Sequence, residues 1–358
     1  MKYYIGLFII LLSTNLSAQT TVKMSAVKAN NYGVAYSLPK TTIEVTVKYS
    51  KTSRKAGEFY QYAERYLSIS NPILEDGISY KIDEITANAK GVVDKDNSYL
   101  VEFRSGTTAP YVTLSKDGLI CAINEDYVFP KIDNAEEEAI TTNELPNPKS
   151  FLSEEILRAG SSVKQAELIA KQIYRLRESR TNILTGEADN MLPDGTAYKL
   201  VMEQLDTQEK ALIGMFAGTE VTESGLVKKY VITLDDKNID NRIVFRFSSK
   251  LGVVTADNLA GAPVYLSLIN KNPIEKPILT AKEEKALAEK FAKGIIYNIP
   301  AKASLNITFN GKSLIQKDVD IVQYGTQEVL VNKMFENNKK PVKVLFYPEL
   351  GAIKQIIE

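Results

Sequence analysis

Hydrophobic and polar positions alternate where Ile43, Val45, Val47 and Tyr49 interleave with Glu44, Thr46 and Lys48. That period of two predicts a strand with one buried face. After Gly57 the apolar positions Phe59, Tyr62, Ala63 and Tyr66 change to helical spacing. Asn71-Pro72 is expected to end this helix, because proline restricts the residue before it and donates no backbone hydrogen bond. Alternation resumes over 82–93 and 99–103. Asp117-Gly118 then predicts a hairpin with a type I′ turn, which needs positive φ at both central residues. The segment 130–148 is acidic and punctuated by proline, and reads as a linker or exposed loop.

Over 150–217 the spacing is helical. Val163, Ala166, Ala170 and Ile173, with Ile169 and Leu176 beside them, predict one long amphipathic helix. Tyr198, Val201, Leu205, Leu212 and Phe216 predict a second, joined to the first through Gly186 and Gly195 as an antiparallel hairpin. Strand patterns return after Gly225, clearest at 231–234, 242–247 and 264–269. Thr280 with Glu283 forms a capping-box signature for one more helix, and Asn310-Gly311 and Leu350-Gly351 turn the last hairpins. The expected fold class is α+β: two β-rich regions, 19–149 and 221–358, flank a helical hairpin at 150–220.

Two stretches echo each other. Tyr36-Ser37-Leu38-Pro39 precedes Ile43-Glu44-Val45-Thr46-Val47, and Tyr297-Asn298-Ile299-Pro300 precedes Leu305-Asn306-Ile307-Thr308-Phe309 with one extra residue between. Phe247-Ser248-Ser249-Lys250-Leu251-Gly252 parallels Phe346-Tyr347-Pro348-Glu349-Leu350-Gly351. Either a β module is duplicated, or a small vocabulary of strand and turn residues recurs by chance. Shared neighbours and shared sheet order are the test.

Residues 1–18 change the picture of where the chain works. Lys2, an apolar run over 5–12 broken only by Gly6, and Ser17-Ala18 before Gln19 read as a cleavable secretory signal. The run is too short to span a bilayer, and no later run approaches the roughly 18–20 residues that a membrane helix needs. The expectation is therefore a soluble exported protein in the periplasm or at the surface of a Gram-negative-type bacterium. No Cys stands near the cleavage point, which argues against a lipoprotein. Lys plus Arg and Asp plus Glu each number 44, so no basic surplus exists to neutralise nucleic-acid phosphates. The one cysteine, Cys121, excludes an intramolecular disulfide and reads as an inert core residue.

Histidine is absent, which removes Ser-His and Cys-His nucleophile pairs and imidazole zinc sites. Tryptophan is absent too, which weakens a carbohydrate-binding reading, although the 19 tyrosines can serve as sugar platforms. Arg175, Arg177 and Arg180 are the candidate ligand-binding group, able to hold a carboxylate or phosphate. The competing reading pairs them across the hairpin with Glu203 or Asp206. Glu187 and Asp189, with Asn190 and Asp194, offer oxygen ligands beside Gly186. Their spacing does not match the calcium-loop pattern, so capping and turn formation account for them, and no metal or cofactor is expected.

Several stretches together resemble an exported bacterial family known as domain of unknown function 4831. They are Gly33-Val34-Ala35-Tyr36-Ser37-Leu38-Pro39-Lys40, Tyr62-Ala63-Glu64-Arg65-Tyr66-Leu67 and Ile173-Tyr174-Arg175-Leu176-Arg177-Glu178-Ser179-Arg180. Leu184-Thr185-Gly186-Glu187-Ala188-Asp189-Asn190-Met191, Gln208-Glu209-Lys210-Ala211-Leu212 and Gly261-Ala262-Pro263-Val264-Tyr265 complete the set. The resemblance implies an envelope or secreted location and brings no catalytic residues with it. The leading expectation is a non-catalytic protein that binds a protein, small-molecule or glycan partner. The alternative is a carboxylate-dependent hydrolase acting on glycan or peptide, which would need two acidic groups at about 5–10 Å.

Overall fold

The computed structural model describes residues 19–23, 33–103, 112–130, 141–142, 146–187, 195–273, 279–335 and 342–357; the expected leader, 1–18, lies outside them. A short strand, β1 (Gln19–Lys23), precedes β2 (Gly33–Lys55), which carries the alternation seen in the sequence. Ile43, Val45 and Val47 of β2 are fully buried. After a 3-10 turn, α1 (Ala63–Leu67) buries Ala63 and Leu67 beside Phe59. It ends before the proline predicts: Ser68 takes φ 56° and its N–H caps the Glu64 carbonyl. A left-handed residue stops the helix, so Pro72 is not needed for that role.

Next, β3 (Gly77–Phe103) merges the two expected stretches into one strand that pairs antiparallel with β2 along its length. β4 (Val112–Leu114) and β5 (Ile120–Ile123) form the Asp117-Gly118 hairpin. Only Gly118 has positive φ, 82°, so the turn is a type I turn with a glycine bulge and not the expected type I′. β6 (Thr141–Thr142) puts part of the expected linker into a sheet; residues 131–140 and 143–145 lie outside the described residues.

The helical segment comprises α2 (Glu154–Leu157), α3 (Ser162–Thr185) and α4 (Thr196–Ala217). Ala166, Ile169, Ala170 and Ile173 pack with Leu212, Met215 and Phe216, as an antiparallel pair requires. Val163, expected on that stripe, is exposed in the first turn of α3.

β7 (Thr219–Thr233) then returns to pair with β2, from Lys55–Thr219 to Thr42–Thr233. β8 (Ile239–Ser248), β9 (Gly252–Val254) and β10 (Ala262–Asn270) follow. After the capped helix α5 (Ala281–Phe291) come β11 (Gly294–Phe309) and β12 (Lys312–Val331). Their turn is the expected hairpin at Asn310-Gly311, of type I′, with φ 49° at Asn310 and 73° at Gly311. β13 (Lys343–Tyr347) and β14 (Ala352–Ile357) close the chain's described part.

Among the described residues, three antiparallel sheets result, in the orders β1-β3-β2-β7-β6, β12-β11-β10-β8-β9 and β14-β13-β5-β4. The first and second face each other across a core in which Ile43, Val45 and Val47 meet Leu266, Leu305 and Ile307. The third packs Ile120, Ile123, Val344 and Phe346 around Tyr36 and Ile296. Strands from both flanks of the helical hairpin therefore share two sheets and two cores, and 19–149 and 221–358 are parts of one packed unit. Among the described residues, no helix is long and apolar enough to cross a membrane.

The two echoing stretches share irregularities as well as sequence. Pairing in β2/β3 passes from Ser37–Ser98 to Pro39–Val93, and in β11/β12 from Ile299–Thr326 to Ala301–Ile321, a jump of five partner residues each time (98 to 93, 326 to 321). The Ser37 N–H donates to the Gly118 carbonyl, and the Asn298 N–H to the Gly351 carbonyl, both at 2.9 Å. The β4/β5 and β13/β14 hairpins also match: Thr113–Ala122 then Leu114–Ile120 in one, Leu345–Gln355 then Phe346–Ile353 in the other.

One glycine makes the junction possible. A Cβ on Gly91 would lie 2.1 Å from the Glu349 carbonyl oxygen, so the β13–β14 turn seats directly on β3 backbone. Gly91→Val is expected to cost about 2–3 kcal/mol by overpacking, read as a lower urea midpoint with an unchanged slope.

Candidate functional site

The helical hairpin holds the arginines singled out from sequence. Arg177 and Arg180 lie three residues apart on α3, on adjacent turns of one face. Both reach Glu209 on α4: Arg177 Nε is 2.7 Å from Oε1, and Arg180 Nη1 is 2.8 Å from Oε2. The Glu209 side chain is only 8% exposed, so its charge depends on these partners. Asp206 stands 3.7 Å from Arg180 and 2.6 Å from Lys210. The Arg177 guanidinium lies 5.5 Å from the Tyr174 ring centre, and the Tyr174 hydroxyl donates to the Tyr66 carbonyl.

Of the expected acidic partners, Asp206 is used, whereas Glu203 pairs with Lys199 on its own helix. Glu209 is missing from that expectation. It interrupts the apolar line of Leu205, Leu212 and Phe216, and a charge within an apolar stripe signals a buried pair. Arg175 is exposed and stays outside the cluster, Glu187 is exposed just beyond Gly186, and Asp189, Asn190 and Asp194 lie outside the described residues. Chemically the arrangement is a clamp, with both guanidiniums occupied by a carboxylate of the chain itself.

A cleft of about 380 Å³ lies where the ends of β2 and β7 meet α4 and the turn at 146–149. Gly57 allows this closeness, since a Cβ there would stand 2.6 Å from the Met215 carbonyl oxygen. Its carboxylates are Glu58 and Glu220. Each faces a cation, Lys149 at 3.4 Å and Arg54 at 2.6 Å, in water-screened pairs. Among the described residues, no group of three or more Cys, Asp or Glu side chains is placed to hold a metal ion.

A second depression, about 400 Å³ and open to solvent, is lined by Tyr297, Ile299, Pro300, Asp320, Tyr347 and Leu350. It lies at the second Tyr-x-x-Pro stretch and differs sharply from the first. There Tyr36 is 2% exposed, its hydroxyl accepting from the Ile296 N–H and donating to the Ile296 carbonyl, and Leu38 is fully buried. At the corresponding place Ile299 is 43% exposed, and Tyr347 in the same wall is 41% exposed. Asp320 pairs with Lys302 at 2.9 Å and leaves an acidic edge on a mostly apolar floor that also includes Asn298.

Cys121 is fully buried, and that burial pushes its thiol up to about 11. Labelling by a thiol reagent at pH 8 is expected only after unfolding. Because the folded value lies above the unfolded one, this group's contribution to stability is full below about pH 9 and fades between about pH 9 and 11, measurable as a falling denaturation midpoint. Arg177→Ala and Arg180→Ala should each lower stability by about 1–2 kcal/mol, less than a fully buried pair because one arginine remains on Glu209. Thermal melts of both variants check this, and unchanged melting for both would refute the clamp.

No curated protein and no solved structure matches the chain. The family model described as Domain of unknown function (DUF4831) matches residues 32–354, and with nearly the whole described chain inside that match, the protein belongs to this family.

Proposed function

We propose that this chain is an exported protein of the bacterial envelope that binds a partner and performs no catalysis. Export is supported by the sequence of 1–18: one lysine, a short apolar run and small residues before Gln19. The periplasm or the outer surface of a Gram-negative-type cell is the corresponding location.

The observation that carries the binding reading is the open depression at 297–300. Its Ile299 and Tyr347 are large apolar side chains held in solvent by paired strands, an arrangement that exposes area a partner can bury. Asp320 and the ring-stacked Lys354, 5.8 Å from the Tyr347 ring centre, add a polar margin that gives orientation. The carboxylates of the other cleft, Glu58 and Glu220, are each engaged by a cation, which favours a structural over a proton-transferring role.

Two measurements test the reading. Purified protein incubated with envelope glycan or peptide should release no new reducing ends or amines. Release that is lost in Glu58→Gln or Glu220→Gln would make the protein a carboxylate hydrolase instead. The intact chain is expected to form a high-mass species in native gels of envelope extract, and Ile299→Asp should fold normally and lose it; absence of such a species, or its persistence unchanged in the variant, would remove this surface from the proposal.

A further inference from the structure

We propose that the partner of the 297–300 surface is a second copy of this chain, docked head to tail through its β4–β5 hairpin. The inference rests on the binding reading above and names its occupant. Within one chain the same docking already occurs. The β13–β14 turn sits over Leu38, Pro39 and Gly91, and the Tyr36 hydroxyl holds both backbone groups of Ile296. In the third sheet, β13 pairs with β5 through Val344–Ile123 and Leu345–Ala122.

The matching N–H bonds of Ser37 and Asn298 align the two stretches, and the same five-residue jump follows in both, at Leu38 in β2 and one position later, at Pro300, in β11. Tyr36, Leu38 and Pro39 correspond to Tyr297, Ile299 and Pro300. Thr41, which pairs with Gly91, corresponds to Lys302, which pairs with Asp320. The surface that the β13–β14 turn covers on β2 therefore recurs on β11 as the open depression. The extra residue after Pro300 turns the remainder of β11 to face β2, which leaves this floor pointing outward.

The opposite end of the chain carries the complementary shape. Around Gly118 a Cβ would meet nothing within 4 Å, whereas one on Gly351 would strike Pro39, Asn298 and Leu38. Ala35, which corresponds to the buried Ile296, is exposed. Among the described residues, β4 and β14 are the two edges of the third sheet. In the hairpin alignment β4 corresponds to β13 and β14 to β5, so an edge of each kind is open. Such a contact is heterologous, and repeating it adds copies in one direction.

The register follows. Val112 of one copy lies opposite Ile356 of the next, and Thr113 opposite Gln355, repeating Val344–Ile123 and Leu345–Ala122. Counted back from Gly118 and Gly351, whose carbonyls accept the matching bonds, Lys116 takes the place that Glu349 holds over Gly91 in a turn one residue longer, and so arrives over Asp320. An acid over a glycine inside the chain becomes a lysine over an acid between chains. The side chain of Asp320 makes the seat shallower than the one on Gly91, and the ion pair replaces the backbone contact.

Full-length exported protein carrying Val112→Cys is mixed with protein carrying Ile356→Cys and oxidised. Directly opposite antiparallel residues lie within disulfide reach, so a covalent dimer is expected from the mixture and from neither variant alone. The double variant should give a ladder of three and more copies. Lys116→Glu should weaken association about fivefold, and Asp320→Lys combined with it should restore binding. Circular dichroism melts confirm that each variant folds. A sedimentation mass fixed at one copy up to the solubility limit, or cross-linking equal in mixed and separate samples, would overturn the proposal. If Ile299→Asp abolishes the envelope species while purified protein stays monomeric, self-docking is overturned and the binding surface stands. Substrate turnover would instead remove the non-catalytic reading.

Discussion

The architecture depends on how β2 is held against β11. Tyr36 spends its single hydroxyl on both backbone groups of Ile296, and the Asn298 amide bonds the carbonyls of Pro39 and Leu350. Gln323, in the bulge of β12, donates to the Thr41 carbonyl and accepts from the Thr41 N–H, on the side of β2 where pairing with β7 stops at Thr42. Buried backbone groups left unpaired are costly, so these few side chains decide which sheet faces can approach. Burial pushes the Tyr36 hydroxyl well above its ordinary range, in keeping with a neutral group locked between two backbone atoms.

Much of the local structure was legible in the sequence because local physics sets it. Alternation marked β2, helical spacing marked α3 and α4, and Thr280 with Glu283 marked the cap of α5. Glycine and asparagine placed the turns, though the type at Asp117-Gly118 depended on strand twist and a bulge that composition does not report. What escaped was non-local. The pairing of β2 with β7 joins Thr42 to Thr233, and no periodicity records a partner that far away. The joint sheet of β13 and β5 escaped for the same reason.

The candidate sites show the same division. The arginine line on α3 was readable, but its partner required knowing which turn of α4 faces it, and a shift of one turn separates Asp206 from Glu209. The Tyr-x-x-Pro echo was readable as well. That one copy is covered and the other bare was not, because the four-residue motifs are nearly alike and what the rest of the chain lays over each is not written in them.

The late return of β7 has a consequence for biosynthesis. Thr42 and Thr233 are 191 positions apart (233 minus 42), with the whole helical hairpin in between. While the chain is being made, β2 offers a row of unsatisfied amides and carbonyls until that distant stretch arrives. A long strand edge left bare in this way invites wrong pairings between neighbouring nascent chains. That edge is closed only once residues 219–233 have been made and brought back to it.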